Sequence, residues 1–422
     1  MPLTDPVHRA IDAVWRIESP RLIAGLARIV RDIGVAEELA QDALVAALEQ
    51  WPANGVPDNP GAWLMATGKN RAIDRLRRNT LVERKQREFG HELERVHDDG
   101  RDAHETADEA IGDDLLRLIF VACHPVLADE ARIALTLRLL GGLTTGEIAR
   151  ALLVPEPTVA QRIVRAKRTL ADAGVPFEIP RGEAFHARLD SVLAVIYLIF
   201  NEGYAASAGE DVMRPDLCAD ALRLGRVLAG LVPREAEAHA LVALMELQAS
   251  RSHARTDAEG SPVLLAEQDR DRWDRLQIRR GLSALERATR LGGARGPYAL
   301  QAAIAACHAS APSADATDWP RIARLYGELA AIAPSPVVEL NRAVAVSMAD
   351  GPAAALPIVD ALLGERTLKG YHLLPGVRGD LLRRLGRLEE ARAAFEAAAA
   401  LTRNARERDL LLARAASCTA DA

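Results

Sequence analysis

Thr158, Gln161, Arg162, Arg165 and Arg168 fall within LTTGEIARALLVPEPTVAQRIVRAKRTL, Leu143 to Leu170. At 100° per residue they share one face of a helix, while Val159, Ile163, Ala166 and Leu170 share the opposite one. Arginine pairs bidentately with guanine and glutamine with adenine, and further guanidinium groups hold phosphates and make binding salt-dependent. One face therefore packs and the other is free to enter a major groove. The preceding TTGEIARAL and the break near Val154 to Glu156 complete the layout of a helix-turn-helix. A solvated basic helix would carry the same arginines, but not the short helix and turn at this offset.

A second basic helix is expected over GAWLMATGKNRAIDRLRRN, Gly61 to Asn79. Ala62, Met65, Ala72, Ile73 and Leu76 are assigned to its apolar side; Thr67, Asn70, Arg71, Asp74, Arg77 and Arg78 to the other. Upstream, VAEELAQDALVAALEQW (Val35 to Trp51) is amphipathic with Glu38, Asp42 and Glu49 along one stripe. An acidic stripe beside a basic helix implies a protein partner as well as DNA.

These segments, in this order, resemble region two (AEELAQDALVAALEQW with WLMATGKNRAIDRLRR) and region four (Leu143 to Leu170) of the extracytoplasmic-function sigma factors. The resemblance implies docking on core RNA polymerase through Glu38, Gln41 and Asp42. It implies contact with the minus-ten promoter element through Asn70, Arg71, Asp74, Arg77 and Arg78, with the loop Asn54 to Asn59 holding a flipped non-template base. Thr158, Gln161, Arg162, Arg165 and Arg168 would read the minus-thirty-five element. The chain departs from many relatives by having Ala160 at a position often basic and Pro157 at one often glycine. Trp63 falls near Asn70 on the wheel, where packing is favoured over base stacking.

The elements that hold these residues are all helical. Apolar residues recur at three- and four-residue spacing, aromatic residues make up only 4%, and no strand pattern stands out. The fold class is all-α. A chain of 422 residues implies two or three domains. Pro60 to Glu88 holds eight Lys or Arg against three acids, and Pro157 to Leu170 four against none. Between them, Arg95 to Asp114 holds eight acids and two arginines, which reads as an acidic linker. The expected domains are 1–95 (region two), 96–112 (linker), 113–174 (region four) and 183–422, with a hinge at Val175 to Gly182. The last resembles the tetratricopeptide-like domain of one sigma-factor subgroup. NRAVAVSMADGPAAALPIVDAL (Asn341 to Leu362) recurs loosely as VRGDLLRRLGRLEEARAAFEAAAAL (Val377 to Leu401), offset by about 35 residues, with Ala355 and Ala391 suited to close packing.

Composition narrows the function classes. A net charge of -6 carries no whole-chain nucleic-acid signal, so the local charge pattern decides. The longest uncharged apolar stretch, Val192 to Phe200, is too short to span a bilayer and reads as a buried core helix. The amino terminus lacks a secretion signal, so a cytoplasmic protein without membrane contact is expected. Cys123, Cys218, Cys307 and Cys418 lie far apart and read as buried thiols; no metal and no cofactor is expected. P-loop, GxSxG and HExxH motifs are missing, which argues against an enzyme. IFNEGYAA (Ile199 to Ala206) and AEQDRDRWDRLQIRRGL (Ala266 to Leu282) are possible contact sites, to a regulatory protein or within the chain. Two other readings stay open: a helix-turn-helix regulator acting without core polymerase, and a repeat scaffold or unrecognised hydrolase with a solvated basic surface.

Overall fold

A computed structural model describes residues 6–87, 107–205, 213–258 and 260–418. The chain forms two compact units, 1–195 and 196–422. Among the described residues the structure is helical, and its only β-type pairing is an isolated bridge between Thr256 and Pro262.

In the first unit, α1 (Pro6–Val30), α2 (Ile33–Asn54) and α3 (Pro60–Arg87) pack mutually. Asp32 starts α2 by accepting the Val35 N–H at 2.9 Å, leaving Ala36, Leu39, Ala40, Ala43, Ala46 and Ala47 to bury one face. Such small side chains allow close helix approach. Gly68 of α3 does the same, since a Cβ there would stand 3.0 Å from Leu26 of α1. The apolar side of α3 differs from the expected one. Leu64, Gly68 and Ala72 are buried, whereas Ala62, Ile73 and Leu76 are exposed.

After α4 (Ala107–Ala122) and α5 (Asp129–Leu139), α6 (Thr145–Leu152) and α7 (Glu156–Asp172) form the helix-turn-helix. Helix α4 starts inside the segment expected to be linker up to residue 112; the rest of that segment, to residue 106, lies outside the described residues. Helix α8 (Glu183–Tyr204) begins in the first unit and ends in the second. Phe185 meets Phe120 edge-on at 5.5 Å, Arg188 donates to the Phe120 carbonyl at 2.6 Å, and Ser191 to that of Cys123 at 2.8 Å. The two compact units divide within α8, after Val195.

The second unit continues with α9 (Pro215–Leu231), α10 (Ala236–Ala249), α11 (Arg275–Arg290), α12 (Pro297–Ser310), α13 (Trp319–Ile332) and α14 (Pro336–Ala349). It closes with α15 (Pro352–Leu362), α16 (Leu373–Arg384), α17 (Leu388–Leu401) and α18 (Ala405–Ser417). Proline in the first turn of α9, α12, α13, α14 and α15 supplies a helical φ where the missing N–H costs nothing. From α12 onward each helix packs on the next, the pattern of a helical repeat. The recurrence seen in sequence is structural: α14–α15 and α16–α17 are successive pairs whose buried positions correspond, Ala343 with Gly379, Ala345 with Leu381, Ala355 with Ala391 and Val359 with Phe395. Gly379 is required because Phe395 lies 2.8 Å from where its Cβ would be. No helix among the described residues is long and apolar enough to cross a membrane, and Val192 to Phe200 lies in the more buried later part of α8.

Candidate nucleic-acid interface

Local chemistry fixes the geometry of the helix-turn-helix. Thr144 and Glu147 form a reciprocal capping box at the start of α6, with the Glu147 carboxylate accepting the Thr144 N–H at 2.8 Å. Burial acts to raise the Glu147 pKa, but its bonds to Thr144 and the nearby Arg16 hold it below the ordinary value. Leu153 then turns the chain in the left-handed region at φ 50°, and Pro155 and Pro157 lead into α7. Val159, Ile163, Ala166 and Leu170 are buried, as the periodicity requires. Opposite them Gln161, Arg165 and Arg168 are exposed, with Thr158 and Arg162 half-buried at the margin. Arg168 makes a loose 3.5 Å pair with Asp172, both well exposed. Val164, passed over in sequence because it interrupts the polar set, is 65% exposed among these residues.

In the three-helix bundle Glu38 and Asp42 are exposed on α2 and Gln41 is half-buried. Their acidic stripe faces the basic helix. Glu38 pairs with Arg75 at 3.0 Å and Asp42 with Arg71 at 3.5 Å. Asn70, Asp74 and Arg77 are exposed on α3; Arg78 belongs to that helix, but its side chain lies outside the described residues. Trp63 packs edge-on against the buried Trp51 at 5.4 Å. Between the helices the loop is shorter than expected, since Asn54 ends α2 and the Asn59 side chain accepts the Ala62 N–H at 3.0 Å. Asn59 is thus engaged as a helix cap in this structure.

Glu37 is the residue that sequence reading missed. Adjacent to the acidic stripe, it is 4% exposed and gathers a 2.6 Å bond from Arg138 of α5, a 2.8 Å bond from Gln41 and an ion pair with Lys167 of α7. The Lys167 pair is electrostatic contact without good hydrogen-bond direction, which leaves that carboxylate oxygen formally without a donor. Arg16 of α1 reaches Glu147 of α6 at 2.7 Å, and Arg28 of α1 reaches the buried Asp114 of α4 at 2.9 Å. The helix-turn-helix is accordingly held against α1 and α2 by charged groups from both sides.

The four cysteines are free and buried. Burial pushes the Cys123 thiol up to about 11 and the Cys218 thiol up to about 12, so neither is a ready nucleophile or ligand. Among the described residues no three His, Cys, Asp or Glu side chains converge to hold a metal ion.

Comparison with known proteins bears on the same segments. Residues 15–82 match the family described as Sigma-70 region 2, residues 117–170 Sigma-70, region 4, and residues 188–289 a family of unknown function, DUF6596. An uncharacterised protein of Rhizobium meliloti is 47% identical over 94% of this chain and 93% of its own length. The ECF RNA polymerase sigma factor SigK of Mycobacterium ulcerans is 30% identical over 36% of this chain and 78% of its own. A probable ECF RNA polymerase sigma factor, SigI of Mycobacterium tuberculosis, is 26% identical over 40% of this chain and 57% of its own. The crystal structure of yeast Tom70 overlaps 98% of this chain and 84% of that one at a TM-score of 0.38 and 12% identity, too distant to argue from. With both sigma regions matched in order and a named relative covered over most of its length, the chain belongs to the ECF RNA polymerase sigma factors.

Proposed function

We propose that this sigma factor directs core RNA polymerase to specific promoters, and that its carboxy-terminal unit modulates initiation through protein contacts. The observation that carries the reading is the two-faced α7, apolar on Val159, Ile163, Ala166 and Leu170 and polar on Gln161, Arg165 and Arg168. Gln161 and Arg162 are suited to base edges, Arg165 and Arg168 to phosphates, and the exposed Val164 to a thymine methyl. Thr158 stands at the groove margin.

Glu38, Gln41 and Asp42 dock on core polymerase, and Asn70, Arg71, Asp74, Arg77 and Arg78 serve the minus-ten DNA. The ion pairs of Asp42 with Arg71 and of Glu38 with the neighbouring Arg75 suggest an order of events. While Glu38 and Asp42 neutralise Arg75 and Arg71, the basic helix is weakly attractive to phosphate; polymerase that takes the acids releases the arginines. Chemistry is left to the polymerase, and the chain works where polymerase and promoter DNA are, in the cytoplasm.

A Glu38→Gln, Asp42→Asn variant tests this order. Its affinity for purified core polymerase falls, while the free chain's affinity for minus-ten single-stranded DNA rises and becomes steeper in salt. Unchanged affinity for both ligands would reject the docking face and the release together.

A further inference from the structure

IFNEGYAA and AEQDRDRWDRLQIRRGL, far apart in the chain, meet in the second unit. Arg251, following α10, donates to the Tyr204 hydroxyl at 2.5 Å and lies 5.8 Å from the centres of both the Tyr204 and Trp273 rings. Arg255 sits over Tyr204 at 3.8 Å and Arg270 over Trp273 at 4.6 Å. Among the described residues Arg251 has no carboxylate within ion-pair distance; its contacts are the Tyr204 hydroxyl and the two aromatic rings.

Arg251 borders a cavity of about 440 Å³, a size usual for small-molecule sites, formed by α8, α10, α12, α13, α14 and the turn at Leu265. Among the described residues that line it there is no Asp or Glu. Of its four lining amides, the two glutamines differ in kind. Gln301 is satisfied within the protein, accepting from Tyr197 at 3.0 Å and donating to the Pro297 carbonyl at 3.1 Å. Gln248 instead leaves its Oε1 buried without a hydrogen-bond donor. Leu247, Ile304, Leu329 and Val337 supply apolar wall, with the Tyr326 ring beside them. His308 is a neutral wall group, because burial and then Arg251 and Arg270 lower its pKa to about 4.

We propose that this cavity is a binding site for a small organic monocarboxylate that carries an apolar body and an N–H or O–H donor. The carboxylate supplies the missing counter-charge to Arg251, the donor satisfies Gln248 Oε1, and the apolar body covers the aliphatic wall. One lining guanidinium matches a single negative charge. A phosphate dianion would lack a second cation in the lining, and a bare inorganic anion would leave the aliphatic wall wet. The site stands on its own chemistry, whether or not the unit modulates initiation.

N-acetyl-L-leucine is the probe, and N-acetyl-L-leucinamide, with the same body but no charge, is its control. Calorimetric titration of the full-length chain should show saturable binding of the acid, about tenfold or more tighter than the amide. Arg251→Gln should reduce that preference to about threefold or less, and Ala305→Phe, which fills the cavity, should remove binding of both. Circular dichroism confirms the fold of each variant, while the acid–amide comparison on the unaltered chain needs no variant. No saturable binding of the acid up to about 10 mM, equal affinity for acid and amide, or an undiminished preference in Arg251→Gln would overturn the proposal.

Discussion

Replacing Glu37 with Gln removes the one negative charge shared by Arg138 and Lys167 while keeping the shape of the side chain. Breaking one side of a buried ion pair typically costs about 3–5 kcal/mol, because the partner's charge stays behind unpaired. The cost here is lower. The Arg138 and Lys167 side chains retain 21% and 23% of their exposure, so water compensates in part, and the glutamine oxygen still accepts from one of them. About 2 kcal/mol is therefore expected, a roughly 30-fold change in local opening. Two units make global unfolding a poor reporter, so the assay is native-state hydrogen exchange. Amides of α2 and α7 should exchange roughly 30-fold faster, and those of α14 to α17 at their original rate. Adding Lys167→Met should recover part of the loss, since it removes the stranded cation. Acceleration of less than about threefold in α2 and α7, or equal acceleration in α14 to α17, would refute the reasoning.

On α7, Arg162→Ala should cost about 1–3 kcal/mol in discrimination between matched and altered minus-thirty-five elements, measured by competition binding of the polymerase complex. Arg165→Ala should weaken binding to both alike and flatten its salt dependence. In the second unit, His308 has its pKa lowered to about 4, chiefly by burial, against 6.5 when unfolded. The unfolded state therefore takes the proton first: the contribution of His308 is intact above pH 6.5 and is lost progressively as pH falls toward 4. Thermal unfolding should show about 2 kcal/mol lost from this source between pH 7.5 and pH 5, and His308→Gln should remove that part of the slope.

The face of α7 was legible because four apolar residues at helical spacing leave no second way to pack. Helix α3 was less so. Gly68 carries no hydrophobic side chain yet marks a close approach to α1, while Ile73 and Leu76, which look like core, stand 42% and 41% exposed. Glu37 was invisible for a related reason: within an acidic stripe it resembles a solvated residue, and its partner Arg138 lies 101 positions away. The loop expected over Asn54 to Asn59 differs only at its ends, where Asn54 closes one helix and Asn59 caps the next. In the carboxy-terminal unit the repeat could be found where small residues recur, at Ala355 and Ala391. The 440 Å³ cavity could not, since its polar groups come from five separate helices.

Promoter-directed initiation is tested most directly by single-round transcription with purified core polymerase and the full-length chain on templates carrying a candidate promoter. The account predicts a stable complex with core and a transcript that depends on both promoter elements, lost when the acidic stripe of α2 is reversed in charge at Glu38 and Asp42. Binding to duplex DNA with neither a core complex nor a transcript would contradict it and point instead to a helix-turn-helix regulator.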